Sequence, residues 1–169
     1  MPGDAEAPPG QGSRRLARAG QLAGEANVDL RGLEIRAGSK TLAWHGTYHE
    51  NMNDRTTDHI DLGVAQEAPP KVPEVFRDSR FVFLANTMPA LQIELLGQVA
   101  KPAFVAADTM NLYINGYLDD LRKLLTRIDC LIVNDEEARL LAGHSNLIRD
   151  AEIILAMGPR IVIIKKGES

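Results

Sequence analysis

The sequence has a single cysteine, Cys130, and so can form neither an internal disulfide nor a metal site built from several cysteines. It lacks any apolar run close to the roughly 20 residues that a membrane-spanning helix needs. Its first residues also lack the apolar core that marks a signal peptide. These absences predict no membrane partner and a reducing, cytoplasmic environment.

An excess of positive charge is missing as well. The 169 residues carry a formal net charge of −4, whereas a nucleic-acid surface needs clustered Lys and Arg. We therefore expect no nucleic-acid partner. With 44% hydrophobic and 25% charged residues, the composition is typical of a globular protein. The length is sufficient for one compact domain with one sizeable core.

Large apolar side chains are scarce in residues 1–28, which are rich in Pro, Gly, Ala and Arg. Such a segment buries too little surface to offset its conformational entropy, so we predict a mostly disordered tail. Residues 29–169 are predicted to be structured. Within them, the segment 40–66 alternates bulky with small or polar residues around a turn-like stretch, a pattern that predicts a β-hairpin or small sheet.

From residue 76 onward, apolar strands alternate with helix-like segments. The predicted strands are 81–86, 103–109, 130–134 and 161–167, and the predicted helices are 89–99, 117–128, 135–142 and 146–157. Strands and helices that alternate at this spacing predict an α/β fold, with parallel βαβ units in a doubly wound sheet. The nearly continuous apolar character of the strands fits burial on both faces.

Three carboxylates follow the third of these strands, in the stretch CLIVNDEEARLLAG at 130–143. In an open parallel sheet, ligands bind outside the carboxyl ends of the strands, which is where Asn134 lies. Asn134 and Glu137 have the spacing of a helix N-cap and a variant capping box. The same pair also suits magnesium, which keeps several waters and often takes only one or two protein carboxylates. The two interpretations are compatible, and the sequence leaves both open.

Several motifs together resemble a known family. NDEEARLLAG is similar to the Asn-x-x-Glu motif of the PfkB-type, ribokinase-like carbohydrate kinases. IVIIKKGE at 161–168 resembles the next landmark of that family, an apolar strand that ends before a glycine, and the spacing between the two landmarks also matches. AADTMNLYI at 106–114 resembles the family's Asp-x-x-Asn segment, and the predicted hairpin resembles its small β lid. The resemblance covers roughly residues 29–169. It implies a partial ribokinase-like, doubly wound parallel sheet with helices on both faces, plus the β lid.

The resemblance also implies roles for individual residues. It assigns Asn134 and Glu137 to the magnesium and phosphates of ATP, with Glu137 acting on the metal through water. It places Lys165 and Gly167 beside the nucleotide phosphates, the first as a point charge and the second as a close backbone approach. The plainer alternatives are a solubilising strand end and a turn glycine. ATP and Mg²⁺ are thus the implied cofactors.

The implied reaction is transfer of the ATP γ-phosphoryl group to a hydroxyl of a sugar or nucleoside. Two parts of the family pattern are missing from the sequence: the Gly-rich sugar-binding segment, and the Gly-Ala-Gly-Asp motif that supplies the anion hole and the general base. We therefore expect the middle portion of such a kinase, inactive alone and with no catalytic residue of its own. Two alternatives remain, a non-catalytic nucleotide-binding or interaction module, and a gene-model fragment without independent function.

The lid segment and the strand ends hold the other candidate residues. Three histidines are either metal ligands or solvent-facing lid residues: His45, His49 and His59. Trp44 and Tyr48 lie an even number of residues apart and so share one strand face. That face either packs on the main domain or meets a second subunit, since lids of this family commonly pair two protomers in a homodimer. Asp108 and Asn111 form either part of the site or an Asx turn, and Cys130 is predicted to be a small core residue.

Overall fold

The computed structural model of the protein describes residues 24–50 and 55–166. The tail predicted at 1–28 therefore lies largely outside the described residues. The same is true of the tip of the predicted hairpin, at 51–54, and of Gly167.

The chain divides into two compact units, Met1–Glu34 and Ile35–Ser169. In the described part of the first unit, a short 3₁₀ helix spans Leu30–Gly32. It is capped by Asp29, whose carboxylate accepts a hydrogen bond from the N–H of Arg31 at 3.0 Å. The second unit holds all of the described strands.

A two-stranded antiparallel sheet forms the lid. Its strands are β1, Ala43–Tyr48, and β2, Arg55–Asp61. The pairing shifts register between His45 and Gly46. This sheet confirms the small β element predicted for this part of the sequence. Short 3₁₀ helices at Gly63–Gln66 and Glu74–Phe76 follow it.

The main sheet consists of four parallel strands in the order β3-β4-β5-β6. Their bounds are Phe81–Leu84 for β3, Phe104–Asp108 for β4, Cys130–Asn134 for β5 and Ile161–Lys165 for β6. Each strand pairs with the next one along the chain. The predicted parallel α/β sheet is therefore confirmed, and β5 has the predicted bounds.

Five helices connect or follow these strands in the described residues. They are α1 (Pro89–Leu96), α2 (Asn111–Gly116), α3 (Leu118–Leu125), α4 (Asp135–Ala142) and α5 (Leu147–Leu155). The four predicted helices are all present. The short α2 was not predicted, because its six residues include two Asn and one Gly, which are poor helix formers. None of the described helices has the length and apolar character needed to cross a membrane.

Helix ends follow from local sequence signals. Pro89 occupies the first turn of α1, where its missing N–H leaves no gap in the hydrogen bonding of the helix. Asn146 caps α5 and accepts hydrogen bonds from the N–H groups of Ile148 and Arg149. Gly143 ends α4 with a φ of 73°, a left-handed conformation that glycine adopts readily.

One face of the main sheet is buried against helices. Its side chains are Val82, Leu84, Val105, Ala107, Leu131, Val133, Val162 and Ile164, and they belong to one apolar cluster. From the helices, the largest buried members of that cluster are Leu121, Leu124, Leu125 and Ile154. Full burial of a Leu or Ile side chain stabilises a fold by about 1.5–3 kcal/mol, so this layer is the main source of stability.

The opposite face of the sheet is open at both edges. The exposed fractions there are 70% for Phe81, 59% for Phe83, 45% for Ile161 and 46% for Ile163. Each strand pairs with the next strand along the chain, and connections between parallel strands are right-handed. The connecting helices therefore all lie on one side of the sheet. The prediction of helices on both faces therefore holds for one face only within the described residues, because the strands follow chain order.

Gln92 of α1 ties together the carboxyl ends of β3 and β4. Its side chain is 1% exposed, and its Nε2 donates to the main-chain oxygens of Leu84, Ala85 and Asp108 at 3.0–3.1 Å. A buried carbonyl that loses its donor costs about 1–3 kcal/mol. Gln92 thus fixes the points at which the chain leaves these two strands.

Asp129 has a matching role at the amino end of the sheet. Its Oδ2 accepts from the N–H of Val105 in β4 at 2.9 Å, and its Oδ1 accepts from the Arg160 guanidinium at 2.6 and 3.1 Å. The Val105 bond, and after it the Arg160 guanidinium, lower the pKa of the Asp129 carboxyl against the opposing effect of burial. One side chain therefore joins the beginnings of three strands.

We expect Gln92→Leu to lower the free energy of unfolding by about 1–3 kcal/mol, because the carbonyl groups that it serves lose their buried donor. Urea denaturation followed by circular dichroism measures this change. Glu94→Gln, at an exposed position of the same helix, is the matched control and should shift the value by less than about 0.5 kcal/mol. A Gln92→Leu protein as stable as the parent would contradict the stabilising role of these hydrogen bonds.

The lowered pKa of Asp129 makes stability depend on pH in a defined direction. Its contribution is complete above the ordinary aspartate value of 3.8 and is lost as the pH falls through the lower folded value. Asp129→Asn removes this titration. We therefore expect the unfolding free energy of the variant to fall less steeply than that of the parent between about pH 4 and pH 2. Denaturant melts across this range provide the comparison, and equal slopes would show that the carboxylate contributes nothing.

Candidate functional site

A cavity of about 680 Å³ lies between the lid and the carboxyl ends of the main strands. Small-molecule sites commonly have volumes of about 300–1,000 Å³. The lid contributes Leu42, Trp44, Tyr48, Thr57 and Ile60 to the lining. The opposite wall consists of the residues that follow β3 and β4, the start of α4, and the end of β6. The cavity is therefore at the edge where open parallel sheets bind ligands.

The structure brings together three of the four residues that the family resemblance assigns to ATP. Asn134, Glu137 and Lys165 all line the cavity. Asn134 and Lys165 are direct neighbours in the β5–β6 pairing. The fourth residue, Gly167, lies outside the described residues. The lid face that Trp44 and Tyr48 share also borders this cavity.

Asn134 and Glu137 form a complete capping box. Asn134 Oδ1 accepts from the N–H of Glu137 at 2.7 Å, and Glu137 Oε2 accepts from the N–H of Asn134 at 2.8 Å. The predicted capping interaction is confirmed. Because Glu137 is 5% exposed and held in this way, its carboxylate has a fixed position on the cavity wall.

The other two carboxylates of the stretch also have partners. Asp135 accepts a hydrogen bond from Arg139 one turn later, at 2.8 Å. Glu136 Oε1 accepts from Nδ2 of Asn111, at the start of α2, at 2.9 Å. Acidic side chains in a first helical turn are further stabilised by the helix dipole. The acidic end of β5 therefore has a structural explanation for each of its carboxylates.

The segment that leaves β4 contributes polar atoms beside the cavity. Asp108 Oδ1 accepts from the N–H of Thr109 at 2.8 Å, while Asn111 starts a helix and reaches Glu136. Thr109 Oγ1 and Asn111 Oδ1 are buried and have no hydrogen-bond partner among the described residues. Buried polar atoms without partners are rare in native proteins. Their presence here is consistent with a ligand-binding region.

The donor set fits a magnesium ion that is carried mainly by phosphate and water. Asn134, Glu136 and Glu137 supply oxygen atoms to the cavity lining, and oxygen is the donor that magnesium prefers. The described residues contain no group of three or more His, Cys, Asp or Glu side chains placed to hold a metal. An ion at this edge would thus depend on its ligand for most of its coordination.

In the part of the chain that the structure describes, the lid histidines belong to no group of three or more potential metal ligands. His45 and His59 face each other across the two strands, with ring centroids 6.3 Å apart. The His49 ring lies within hydrogen-bonding distance of the Thr56 hydroxyl, at 2.9 Å. All three histidines are exposed.

Part of the polar wall was not predicted from the sequence. Asn86, Thr109 and Tyr113 all line the cavity and were not singled out. Asn86 and Thr109 follow strands directly, so the rule that ligands bind at the carboxyl ends of strands could have found them. Tyr113 is 1% exposed, and burial, followed by the charge of Tyr117, raises the pKa of its hydroxyl.

No protein-family model matches the chain. A cytidine kinase from Thermococcus kodakarensis is 30% identical to it over an alignment of 148 positions that covers 83% of this chain and 51% of that protein. The chain therefore spans about half the length of this curated relative.

Solved structures show the same partial coverage. A PfkB protein from Polaromonas sp. JS666 superposes with a TM-score of 0.62 at 18% identity, over 91% of this chain and 56% of that one. A candidate ribokinase II from E. coli, in complex with ATP and Mg²⁺, gives a TM-score of 0.61 at 20% identity, over 95% and 54%. At these identities the likeness establishes the fold. The chain thus has the ribokinase-like fold of the PfkB-type kinases and spans about half the length of these relatives, which confirms the resemblance seen in its sequence.

Proposed function

We propose that the chain carries part of the nucleotide site of an ATP-dependent kinase that phosphorylates a hydroxyl of a nucleoside or carbohydrate. The observation that carries this proposal is the convergence of Asn134, Glu137 and Lys165 on one cavity at the carboxyl edge of the sheet. The match to a cytidine kinase and the fold shared with an ATP- and Mg²⁺-bound protein support it.

In this proposal Asn134 and Glu137 face the phosphates of ATP. A bare carboxylate repels phosphate, so Glu137 acts through water on a magnesium ion. When bound, the ion neutralises phosphate charge. Lys165 adds a positive charge at the end of β6. Gly167 is proposed to let the backbone approach the nucleotide closely.

In this proposal the chain contributes to catalysis by positioning the groups that bind phosphate. Phosphoryl transfer depends mostly on the alignment of its groups and on charge stabilisation. The capping box holds Asn134 and Glu137 in place before any ligand arrives, so little reorganisation is needed on binding. The sequence contains no Gly-Ala-Gly-Asp motif, and the proposal assigns no general base to this chain.

Glu137→Gln separates the helix cap from the phosphate site. A Gln at the third helical position still completes a capping box, so we expect a melting temperature within a few degrees of the parent. The lost charge should weaken magnesium-dependent ATP binding by about tenfold or more, with partial recovery at excess magnesium. Isothermal titration calorimetry with ATP, at limiting and at excess magnesium, measures the effect.

The matched control is Glu94→Gln, which removes one carboxylate from the exposed part of α1 and should leave ATP binding unchanged. If Glu137→Gln binds ATP as the parent does at limiting magnesium, the carboxylate is only a helix cap. If the parent itself binds no ATP with magnesium present, the proposed function is wrong for this chain.

A further inference from the structure

The lid presents a fixed aromatic ring to the cavity. Trp44 and Gly46 lie on the same face of β1, two residues apart. The benzo ring of the Trp44 indole occupies the space that a side chain at position 46 would need. Glycine at this position therefore allows the indole to lie along the strand, beside the cavity that it lines.

A hydrogen bond holds the indole in that place. Its Nε1–H donates to Oγ1 of Thr57 at 3.1 Å. Thr57 is the cross-strand partner of Gly46, so the strand that pairs with β1 supplies the acceptor. An aromatic surface that is positioned before the ligand arrives loses little conformational entropy on binding.

Tyr48 and Trp44 together form an aromatic corner. The two ring centroids are 6.4 Å apart and the ring planes are inclined by 74°. Tyr48 is 52% exposed, and both rings line the cavity. A planar ligand group can stack on one ring of such a corner while its edge meets the other. Nucleobases stack on aromatic side chains in this way.

The two walls of the cavity differ in chemistry. The aromatic corner lies on the lid, whereas Asn134, Glu137 and Lys165 lie on the edge of the main sheet. A nucleoside has the same two halves, a planar base and a ribose with several hydroxyl groups. A free monosaccharide can lay the C–H groups of one face on a single ring, but it has no planar group whose face and edge meet both rings. The cavity of about 680 Å³ is large enough for a nucleoside.

We infer that the acceptor is a nucleoside whose base is bound by the aromatic corner and whose ribose faces the edge of the sheet. This inference rests on the proposed function and selects one of its two substrate classes. Trp44 and Tyr48 would contact the base directly. Thr57 is a positioning residue, because it acts through the indole.

Tryptophan fluorescence tests the inference directly, because Trp44 is the single tryptophan of the chain. The protein is titrated with cytidine, with adenosine and with ribose, and calorimetry gives the affinity for each. We expect at least one nucleoside to change the emission saturably and ribose to leave it unchanged. Trp44→Leu should weaken binding of that nucleoside by about tenfold or more.

Two further variants keep the test informative if Trp44→Leu does not fold. Thr57→Val removes only the hydroxyl that holds the indole, and it should weaken nucleoside binding by a smaller factor. His45→Leu changes an exposed side chain on the other face of β1 and should have no effect. Binding of ATP with magnesium, which depends on the opposite wall, should be the same in all three variants.

The outcomes separate failure of the base-binding site from failure of the proposed kinase function. Ribose binding as tight as nucleoside binding, and insensitive to the lid variants, would overturn the base subsite while the nucleotide site stands. Absence of nucleoside binding, or nucleoside binding that Trp44→Leu and Thr57→Val both leave unchanged, would also overturn it. Loss of the ATP site with nucleoside binding retained would refute the proposed function and the acceptor role with it, while the base-binding corner would stand.

Discussion

The capping box between Asn134 and Glu137 fixes the point at which β5 becomes α4, and the polar wall of the cavity depends on that point. Its two hydrogen bonds, of 2.7 and 2.8 Å, set the direction of the first helical turn. That turn carries Glu136 to Asn111, which joins the exits of two neighbouring strands. It also leaves Asn134 beside Lys165 at the end of the next strand. One local interaction therefore aligns groups from three strands at a single edge.

Side chains supply hydrogen bonds where the ladders of the parallel sheet end. Gln92 serves carbonyl groups at the carboxyl edge, and Asp129 serves the N–H of Val105 at the amino edge. Both link strands that are neighbours in the sheet. The buried amide of Gln92 therefore helps to fix the edge of the sheet that carries the candidate site. Functional groups are positioned most accurately on such rigid elements.

The sequence predicts most of the elements but not their mutual placement. The bounds of β5 and α4 are strongly marked by an apolar run, a capping pair and the terminal Gly143. Periodicity places Trp44 and Tyr48 on one face, yet it gives no information about what that face meets. Gln92 stands on the inner side of an apolar helix and looks like any other polar residue, because its acceptors come from two separate strands. The exposed face of the sheet could not be predicted either, because it follows from the strand order, and hydrophobic periodicity does not encode strand order.

The buried position of Cys130 makes its thiol a reporter of the opening of the main sheet. The residue starts the interior strand β5, is 2% exposed, and has a thiol pKa raised by burial and then by Asp129. The thiolate is the nucleophile that attacks alkylating reagents, so this sulfur is modified only in molecules whose sheet has opened. Because the chain has no second thiol, the rate of labelling counts those openings without an introduced probe. For the same reason, a Cys130–Cys130 disulfide formed with an added oxidant and seen on a non-reducing gel would record molecules that had opened before they met.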